Sequence, residues 1–398
     1  MPKGRIRIIG CGVGKTDPPY ELIRDADIVF GGERFISEVR EKEKFPIKGD
    51  ISLVLERIRR NLEDGKVVAV LSDGDPLFFG IGKRIVEEFG KENVEVFPNI
   101  TVLQLACSRI CLPWEKIKVV SLHGKRDIFP LLSLMMKSDI IGVYTDRKNS
   151  PKKIAYELLK RSIEEFSMIV FEDLGTERER IREFEIKDAV EEEFSELSFV
   201  ILKRKKRPEI PLKIGTEDDL YLHERGLITK KEIRVVSLSM LSLEKRSIVW
   251  DIGAGSGSVG IECATISDEG RIYCVEKDYR RYLMIKENIR RMGAYIVEAV
   301  WGEAPYCLKD LPPADRIFLG GGISEGLLES LSGFLKKEGI IVMNITLIEN
   351  LMKAISFFKK KGWNYDLVQI SVSRSKNIKE KTYLSSLNPV FILRAEKR

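Results

Sequence analysis

Short apolar runs alternate with amphipathic segments along the whole chain, and this alternation predicts strands separated by helices. In the first third, β-branched residues favour strands, and apolar residues three and four positions apart favour helices. Strands are predicted at residues 5–9, 28–30, 66–71 and 94–97, and helices at 20–26, 51–62 and 102–111. Elements that alternate in this way form a mostly parallel sheet covered by helices.

A second and smaller α/β unit is predicted from about residue 114 onwards. Its predicted strands lie at 118–122, 140–144, 167–171 and 199–202, with a helix at 152–161. The basic run Lys203-Arg-Lys-Lys-Arg-Pro208 then changes the composition, and Pro208 and Pro211 interrupt regular structure. We interpret this run as a solvated linker at the main domain boundary, with a nucleic-acid contact as the alternative.

The last part of the chain is predicted to form a third α/β unit. Strands are predicted at 248–250, 271–275, 296–300, 315–319 and 339–345, helices at 259–264 and 282–292, and antiparallel strands between 364 and 393. Before the first of these strands, Thr229 is followed three residues later by Glu232, which is the spacing of a capping box at a helix start.

A glycine-rich turn joins the strand at 248–250 to the helix at 259–264. After Asp251 it contains Gly253, Gly255 and Gly257, and the next strand ends at Glu276. Glycine lets backbone N–H groups approach a ligand closely, and an acid at the end of the second strand can hold ribose hydroxyls. The pattern predicts a nucleoside site; a turn that serves only packing is the alternative.

The position of the third glycine separates two kinds of nucleoside site. The dinucleotide fingerprint G-x-G-x-x-G requires glycine where Ser258 stands in this chain. The order D-x-G-x-G-x-G, followed by an acid after the next strand, resembles the nucleoside site of Rossmann-like S-adenosylmethionine methyltransferases. This resemblance favours S-adenosylmethionine over NAD.

The composition is that of a globular chain with several cores. Its 398 residues, 43% of them hydrophobic, predict two or three domains. No apolar run reaches the length of a membrane span, and the N-terminus leads into a strand, so we expect a cytoplasmic protein with no membrane partner. Because the chain has two histidines and no C-x-x-C pair among its six cysteines, we predict no metal site.

The charge pattern is less informative. Charged residues make up 32% of the chain, while glutamine occurs only at Gln104 and Gln369, a bias seen in hyperthermophiles. The net charge of +6 is compatible with a polyanionic substrate, with nucleic acid, or with solubility alone.

Residues 1–208 resemble the tetrapyrrole methylases, because their motifs occur in the order of that family. These motifs are Gly10-Cys-Gly-Val-Gly14, Gly31-Gly-Glu-Arg34, Gly74-Asp-Pro76 with Phe79-Gly-Ile-Gly82, and Ser121-Leu-His-Gly124. The resemblance implies two subdomains, at about 1–113 and 114–208.

Residues 209–398 resemble the decarboxylating methyltransferases of corrin synthesis. The matching motifs are Thr229-Lys-Lys-Glu-Ile-Arg234, Trp250-Asp-Ile-Gly-Ala-Gly-Ser-Gly257, Gly302-Glu-Ala-Pro305 and Gly320-Gly-Gly322. The two halves in this order are similar to the fused precorrin-6Y C(5,15)-methyltransferase family of the cobalamin pathway. The implied fold class is α/β, a two-subdomain tetrapyrrole methylase fold followed by a Rossmann-like class I S-adenosylmethionine methyltransferase domain.

The resemblance implies a site for S-adenosyl-L-methionine in each half. In the C-terminal half, Glu276 is expected at the ribose and Ala304 along the adenine. The full set of expected contacts there is Thr229, Gly253, Ala254, Gly255, Ser256, Gly257, Glu276 and Ala304. The expected contacts in the N-terminal half are Gly10, Gly12, Gly14, Asp75 and Thr101.

The implied reaction is methylation of carbons 5 and 15 of precorrin-6B or cobalt-precorrin-6B, with loss of carbon dioxide from the ring-C acetate. The N-terminal half would act at carbon 5 and the C-terminal half at carbon 15, and the hyperthermophile-like composition favours the cobalt-containing substrate. Arg225, Lys230 and Arg234 are candidates for binding substrate carboxylates. His123 is a candidate acid–base catalyst or, equally, a structural histidine. We expect a homo-oligomer and no nucleic-acid partner.

Two other functions fit parts of the sequence. An RNA methyltransferase would use the basic run at 203–208, and an S-adenosylmethionine-binding sensor would need only one of the two motif sets. Asp17-Pro-Pro-Tyr20 spells a signature of amino-methyltransferases, in which it follows the fourth strand of the Rossmann-like domain. Here it follows the first strand of the other half, and we interpret it as a coincidence.

Overall fold

The computed structural model describes residues 4–14, 19–224, 226–378 and 381–398. Their contacts divide the chain into two compact units, and the chain passes from one to the other between Arg204 and Lys205. Two short pieces of the first half, Phe129–Lys137 and Arg161–Glu165, group with the second unit. No helix in these ranges is long and apolar enough to cross a membrane.

The first sheet of the N-terminal unit consists of five parallel strands. The strands are β1 (Arg5–Gly10), β2 (Ile28–Gly31), β3 (Glu43–Pro46), β4 (Val67–Ser72) and β5 (Val94–Phe97), and the helices are α1 (Tyr20–Ile23), α2 (Glu33–Ile36), α3 (Ile51–Glu63), α4 (Gly82–Phe89) and α5 (Val102–Arg109). The strand order is β3-β2-β4-β1-β5. In β1, Ile6 and Ile8 belong to one core cluster and Ile9 to another, because successive strand side chains point to opposite faces. The predicted parallel sheet is confirmed here.

Helix α3 forms as its sequence predicts. The Asp50 side chain accepts the Ser52 N–H at 2.8 Å at the helix start, and this bond holds the pKa of Asp50 below its ordinary value. Val54, Ile58 and Leu62, one turn apart, are buried together in the core against the sheet.

The second sheet of this unit is mostly antiparallel. Its strands are β6 (Lys118–Ser121), β7 (Ile140–Tyr144), β8 (Phe166–Glu172), β9 (Arg180–Glu185) and β10 (Ser198–Arg204), and the helices along this stretch are α6 (Phe129–Lys137), α7 (Pro151–Lys160) and α8 (Ile186–Ala189). In the order β6-β7-β10-β8-β9, only β6 and β7 pair in parallel. The parallel pattern of the first sheet therefore does not extend to the second.

The basic run after this sheet is not entirely solvated. Arg204 is the last residue of β10, and its side chain is 5% exposed. Its Nε donates to Asp139 at 2.9 Å, and the guanidinium lies 4.4 Å from the centre of the Phe166 ring. Arg204 thus stabilises the end of the central strand of this sheet, which corrects the interpretation of the whole run as a linker.

The C-terminal unit is built on a seven-stranded sheet. Its strands are β11 (Ile248–Ile252), β12 (Arg271–Glu276), β13 (Val297–Trp301), β14 (Ala314–Leu319), β15 (Leu335–Ile345), β16 (Asn364–Ile370) and β19 (Val390–Glu396), with β17 (Ser373–Ile378) and β18 (Lys381–Ser386) as a separate hairpin. The helices are α9 (Lys231–Met240), α10 (Ser258–Cys263), α11 (Tyr279–Met292), α12 (Glu325–Phe334) and α13 (Ile348–Lys361).

The strand order of this sheet sets the place of the site. In the order β13-β12-β11-β14-β15-β19-β16, the first five strands are parallel and β19 is antiparallel to both neighbours, so the predicted antiparallel tail is confirmed. The chain order reverses between β11 and β14. Ligands of such sheets bind at this switch point, outside the carboxyl ends of the strands.

The predicted capping box at Thr229 is wrong. Helix α9 begins at Lys231, and Lys230 occupies the capping position without a capping hydrogen bond from its side chain. Glu232 instead accepts from Arg374 of β17, whose Nε lies 3.0 Å from Oε1. A tertiary ion pair has taken the carboxylate that the local motif would use.

Candidate functional site

A cavity of about 660 Å³, called the large cavity here, lies at the carboxyl ends of β11, β12, β13 and β14. It is lined by six of the eight residues predicted for the C-terminal half: Thr229, Gly253, Ala254, Gly255, Glu276 and Ala304. Ser256 and Gly257 do not line it. The fold therefore brings together residues that are up to 75 positions apart in the sequence (229 to 304).

The glycine turn between β11 and α10 requires glycine for two reasons. Gly253, Gly255 and Gly257 all lie in the left-handed region, at φ 70°, 58° and 75°. A Cβ at Gly253 would meet no described atom within 4 Å, whereas a Cβ at Gly257 would lie 3.0 Å from Ile285 of α11. Gly253 leaves room for a ligand, and Gly257 allows α11 to pack closely. Ser256, between Gly255 and Gly257, is 2% exposed.

Glu276 is held by the backbone of this turn. Its Oε2 accepts the Gly255 N–H at 2.9 Å, and its Oε1 accepts the Asp278 N–H at 3.0 Å. The side chain lines the large cavity although the residue is 4% exposed. Each carboxylate oxygen has a second lone pair, so Glu276 can also accept a hydrogen bond from a ligand hydroxyl.

Asp251 is buried beside the same turn. Its Oδ2 accepts the Gly260 N–H at 2.9 Å, and its Oδ1 has no hydrogen-bond partner within the described ranges. Burial raises the pKa of Asp251 to about 7; the charge of Glu276 adds to this effect and the Gly260 bond opposes it. Sequence reasoning gave Asp251 no role of its own, although its position before the glycines was a signal.

Residues 226–229 form one wall of the large cavity, and Arg234 holds that wall in place. Arg234 is fully buried and donates to the carbonyl oxygens of Thr229 and Thr216. Its guanidinium also pairs with Glu262 at 2.7 Å and with Asp218 at 3.3 Å. The prediction that Arg234 binds a substrate carboxylate is wrong, because its donors are used inside the protein.

Glu262 of α10 is the buried partner that sequence reasoning missed. Besides Arg234, its carboxylate accepts the backbone N–H groups of Gly215 at 2.8 Å and Thr216 at 3.1 Å, and the Tyr221 hydroxyl at 3.1 Å. Burial and the nearby Glu262 charge raise the pKa of Tyr221 above its ordinary value. A single acid inside the apolar segment after the glycine turn was the available signal.

A second cavity of about 230 Å³, called the small cavity here, adjoins the large one. The two share Ile228, Thr229, Gly320, Gly321, Gly322 and Thr346. Lys230, a candidate for binding a substrate carboxylate, lines the small cavity rather than the large one. Arg225 lies outside the described residues, as do Asp17 and Pro18 of the Asp17-Pro-Pro-Tyr20 sequence.

In the N-terminal unit, the turn after β1 meets the loop after β4. Gly12 forms an antiparallel bridge with Gly74, and a Cβ at Gly10 would lie 2.3 Å from the Gly74 carbonyl oxygen. A Cβ at Gly74 would in turn lie 3.4 Å from Thr101. The structure thus places Gly10, Gly12, Asp75 and Thr101 together.

The surroundings of this second turn explain its shape. Thr101 caps α5: its hydroxyl accepts the Gln104 N–H at 3.1 Å, and the Gln104 side chain accepts the Thr101 N–H at 2.8 Å. Asn99, which sequence reasoning missed, donates from Nδ2 to the Gly10 carbonyl oxygen at 3.0 Å. Gly14 ends the turn, where a Cβ would lie 2.4 Å from the backbone of Gly175.

His123 lies in an exposed turn after β6. Burial would raise the pKa of the neighbouring Asp146, but backbone N–H groups, chiefly that of Gly124 at 2.7 Å, and the nearby His123 lower it overall. These hydrogen bonds belong to Asp146, so the structural interpretation of His123 stays a prediction. Its catalytic role stays a prediction as well.

Comparison with known proteins follows the same division of the chain. A family profile described as Tetrapyrrole (Corrin/Porphyrin) Methylases matches residues 5–190, and one described as Precorrin methyltransferase domain matches residues 219–397. The precorrin-6Y C(5,15)-methyltransferase (decarboxylating) of a Sinorhizobium species is 28% identical over 385 residues, which cover 93% of this chain and 91% of that relative. The probable cobalt-precorrin-6B C(15)-methyltransferase (decarboxylating) of Pyrobaculum calidifontis is 37% identical over 186 residues, which cover 46% of this chain and 95% of that relative.

The chain belongs to the decarboxylating precorrin-6Y C(5,15)-methyltransferase family. The family resemblance and the α/β fold class inferred from the sequence are thereby confirmed. A solved structure named precorrin-6Y C5,15-methyltransferase, from Geobacter metallireducens GS-15, is 38% identical and covers 46% of this chain and 97% of that chain, with a TM-score of 0.45.

Proposed function

We propose that the chain methylates carbons 5 and 15 of precorrin-6B or cobalt-precorrin-6B and removes carbon dioxide from the ring-C acetate. The methyl donor in this proposal is S-adenosyl-L-methionine. The observation that carries it is that both halves of one chain match methyltransferase families, and each half has a glycine turn after its first sheet strand. The similarity to a decarboxylating relative along 93% of the chain supports the same conclusion.

We assign residues 1–208 to methylation at carbon 5 and residues 209–398 to methylation at carbon 15 with decarboxylation. The Pyrobaculum relative is named for carbon 15 and decarboxylation alone, and it corresponds to 46% of this chain. That correspondence supports a division of the two reactions between the halves. The homo-oligomeric state stays a prediction.

The large cavity suits a nucleoside that carries an amino-acid tail. S-adenosyl-L-methionine, when bound, supplies an electrophilic methyl group on a sulfonium. In our assignment the open face at Gly253 lets the backbone approach the ligand, and Glu276 accepts hydrogen bonds from the ribose hydroxyls. Ala304 lines the adenine side, and Thr229 contacts the ligand from the wall that Arg234 holds.

These residues align the methyl donor with the reacting carbon and exclude water. Methyl transfer is an in-line displacement, so the substrate carbon must lie close to the methyl group, on the side opposite the sulfur atom. The fixed pair of Glu276 and Gly255 holds the nucleoside, and the wall at 226–229 covers it. In the N-terminal half we assign the corresponding role to Gly10, Gly12, Gly14, Asp75 and Thr101.

Decarboxylation needs no additional cofactor. The bond between the acetate methylene and its carboxylate breaks, the electron pair enters the conjugated macrocycle, and carbon dioxide leaves. A proton then completes the methyl group on the ring. The product therefore carries two more methyl groups than the substrate and has lost one carbon dioxide.

The test is incubation of the full chain with S-adenosyl-L-methionine and precorrin-6B, with and without cobalt in the ring, followed by mass spectrometry. We expect two methyl gains and one loss of carbon dioxide. An unchanged tetrapyrrole mass together with methylation of added RNA would overturn the proposal.

A further inference from the structure

Neither backbone conformation nor packing against the described residues explains why position 321 is a glycine. It is exposed just after β14, and its φ is outside the left-handed region. A Cβ there would meet no described atom within 4 Å, whereas a Cβ at Gly320 would lie 3.0 Å from the Gly253 carbonyl oxygen and Gly322 has φ 72°. Conformation and packing explain the two neighbours but not Gly321.

The position of Gly321 suggests the reason. It lies in the stretch 320–322 that the large and the small cavity share, so a side chain there would project into the space where the two meet. Glycine is used where a ligand approaches the backbone closely. Gly321 therefore marks a place where a bound molecule passes from one cavity into the other.

The small cavity has the chemistry of a carboxylate pocket. Its lining combines apolar side chains, among them Ile233, Ile323 and Ile345, with the amides of Asn344 and Asn350, and Lys230 supplies a positive charge. The Lys230 ammonium donates to the Gly226 carbonyl at 3.4 Å and pairs with no carboxylate of residues 4–14, 19–224, 226–378 or 381–398. A lysine ammonium and side-chain amides can donate hydrogen bonds to a carboxylate, and the apolar side chains suit the aliphatic arm that carries it.

We propose that the small cavity receives a carboxylate-bearing arm of the tetrapyrrole substrate, that Lys230 pairs with this carboxylate, and that the ring reaches the methyl donor across Gly321. The proposal rests on the proposed function. It adds the place where the substrate binds in the C-terminal half.

The first test compares Gly321→Val with Gly333→Val in the full chain. Gly333 is a matched control because it is exposed on α12, and a Cβ there would also meet no described atom within 4 Å. We expect Gly321→Val to lower kcat/KM for carbon-15 methylation about 100-fold, since a misplacement of about 1 Å has that effect on an aligned reaction. Methylation at carbon 5 should stay at the wild-type level, as should every readout of Gly333→Val. Because Gly321 also lines the large cavity, the affinity for S-adenosylhomocysteine, measured by calorimetry, should fall, but much less than kcat/KM. Unchanged kinetics in Gly321→Val, or a parallel loss of S-adenosylhomocysteine binding, would overturn the proposal.

The second test concerns the charge. Lys230→Met should raise the KM for the tetrapyrrole about tenfold, because it removes a charge-assisted hydrogen bond, while Lys230→Arg should restore most of the affinity. Lys337→Met, at an exposed lysine of β15, is the control. A KM for Lys230→Met equal to that of the control contradicts the assignment.

Substrate binding separates this proposal from the proposed function. Absorbance titration of S-adenosylhomocysteine-loaded protein with cobalt-precorrin-6B measures binding without turnover. If the wild type binds the tetrapyrrole and Gly321→Val binds it more weakly, the subsite is supported, even when the reaction product differs from the one expected. If the wild type, Gly321→Val and Lys230→Met all bind the tetrapyrrole equally well, only the subsite proposal is overturned. If the wild type binds no tetrapyrrole, the subsite proposal and the proposed function are both overturned.

Discussion

Glu276 is the side chain on which the C-terminal site depends most directly. Glu276→Gln keeps the shape of the side chain but turns one acceptor into a donor, which then faces the N–H of Gly255 or of Asp278. Because a hydrogen bond to a charged acceptor is worth about 1.5–3 kcal/mol and the neutral amide offers the ribose a weaker acceptor, we expect the affinity of this site for S-adenosylhomocysteine to fall about 10–100-fold. Calorimetric titration should show one tight site per chain in the variant and two in the wild type.

Glu269→Gln is the control for this change. Glu269 lies on the surface, where it pairs with Lys245 and Arg246 rather than with the glycine turn. The variant should keep both tight sites. Two tight sites in Glu276→Gln would instead show that the acid does not hold the cofactor.

The buried Asp251 predicts a pH dependence of stability. Its pKa is about 7 in the folded protein and about 3.9 in an unfolded chain, so between these values the folded state retains a proton that the unfolded state has released. The free energy of unfolding therefore falls as the pH rises from about 4 to about 7, and this contribution is constant above pH 7. Asp251→Asn removes the titration, so denaturant unfolding should show the variant gaining stability relative to the wild type across this window.

Asp278→Asn provides the opposite case. Backbone N–H groups at the start of α11, that of Arg281 first, lower the pKa of Asp278 in the folded protein. The contribution of Asp278 to the free energy of unfolding is therefore fully present above its pKa in the unfolded chain and is lost only at lower pH. The stability difference between Asp278→Asn and the wild type should thus be constant between pH about 5 and 7. The same flat difference for Asp251→Asn would mean that Asp251 is ionised throughout.

Single residues were predictable where a fixed spacing defines them. Glu276 could be located because the acid follows the glycines by one helix and one strand, and the six predicted residues that line the large cavity are all of this kind or come from family motifs. Arg234 could not be judged in the same way. A buried arginine and an exposed one look alike in a sequence, and only the placement of Glu262 shows that its charge is already used.

At the scale of elements, the segment before β11 is attached to α10 through Arg234 and Glu262. We expect Arg234→Met to lower the free energy of unfolding by about 3–5 kcal/mol, because it leaves a buried carboxylate without its cation. It should also weaken S-adenosylhomocysteine binding, since Arg234 donates to the Thr229 carbonyl in the wall of the large cavity. Urea unfolding and calorimetry measure the two effects.

Arg246→Met is the matched substitution on the surface. The Arg246 side chain is 84% exposed, so its loss should change stability by less than about 0.5 kcal/mol and leave binding intact. If Arg234→Met behaved like Arg246→Met, the buried pair would not hold the wall.

The elements themselves were predictable where their apolar residues form a run or alternate regularly. Strand β5, with alternating apolar residues, and strand β7, with an apolar run, were placed at their observed bounds. Strand β9 was missed because four of its six residues are charged, and α12 and α13 were missed because glycines or a mixed pattern obscure their periodicity. The capping box failed because a partner 142 residues away took its acid.

At the scale of the whole molecule, two sites in one chain predict two separable defects. Gly12→Ala places a side chain at φ 82°, which strains the N-terminal turn, while Glu276→Gln weakens the C-terminal site, so that it is largely empty at a methyl-donor concentration that just saturates the wild type. We expect Gly12→Ala to yield a product methylated at carbon 15 that has lost carbon dioxide. Glu276→Gln should yield a product that is methylated at carbon 5 and keeps all its carboxylates.

Mass spectrometry with location of the new methyl groups distinguishes these products. A variant that reduces both methylations in equal proportion would indicate one shared site. The domain limits 1–208 and 209–398 would then need revision.

The order of the two halves was readable from the order of their motifs, whereas the grouping of chain pieces was not. Nothing in the sequence of Phe129–Lys137 indicates that this helix groups with the C-terminal unit. Similarly, the antiparallel pairing of β8 and β10 depends on contacts between distant residues, which local patterns do not encode.

The hydrogen bond from Gly255 to Glu276 has a consequence for the thermodynamics of binding. A segment with three left-handed glycines at alternate positions would be highly disordered in isolation, and ordering it around a ligand would consume part of the binding free energy. Here the acid that should meet the ribose already fixes the turn while the chain folds. The entropy of the turn is therefore lost in folding rather than in binding, so the site can release a spent cofactor and take up a new one without reordering its backbone.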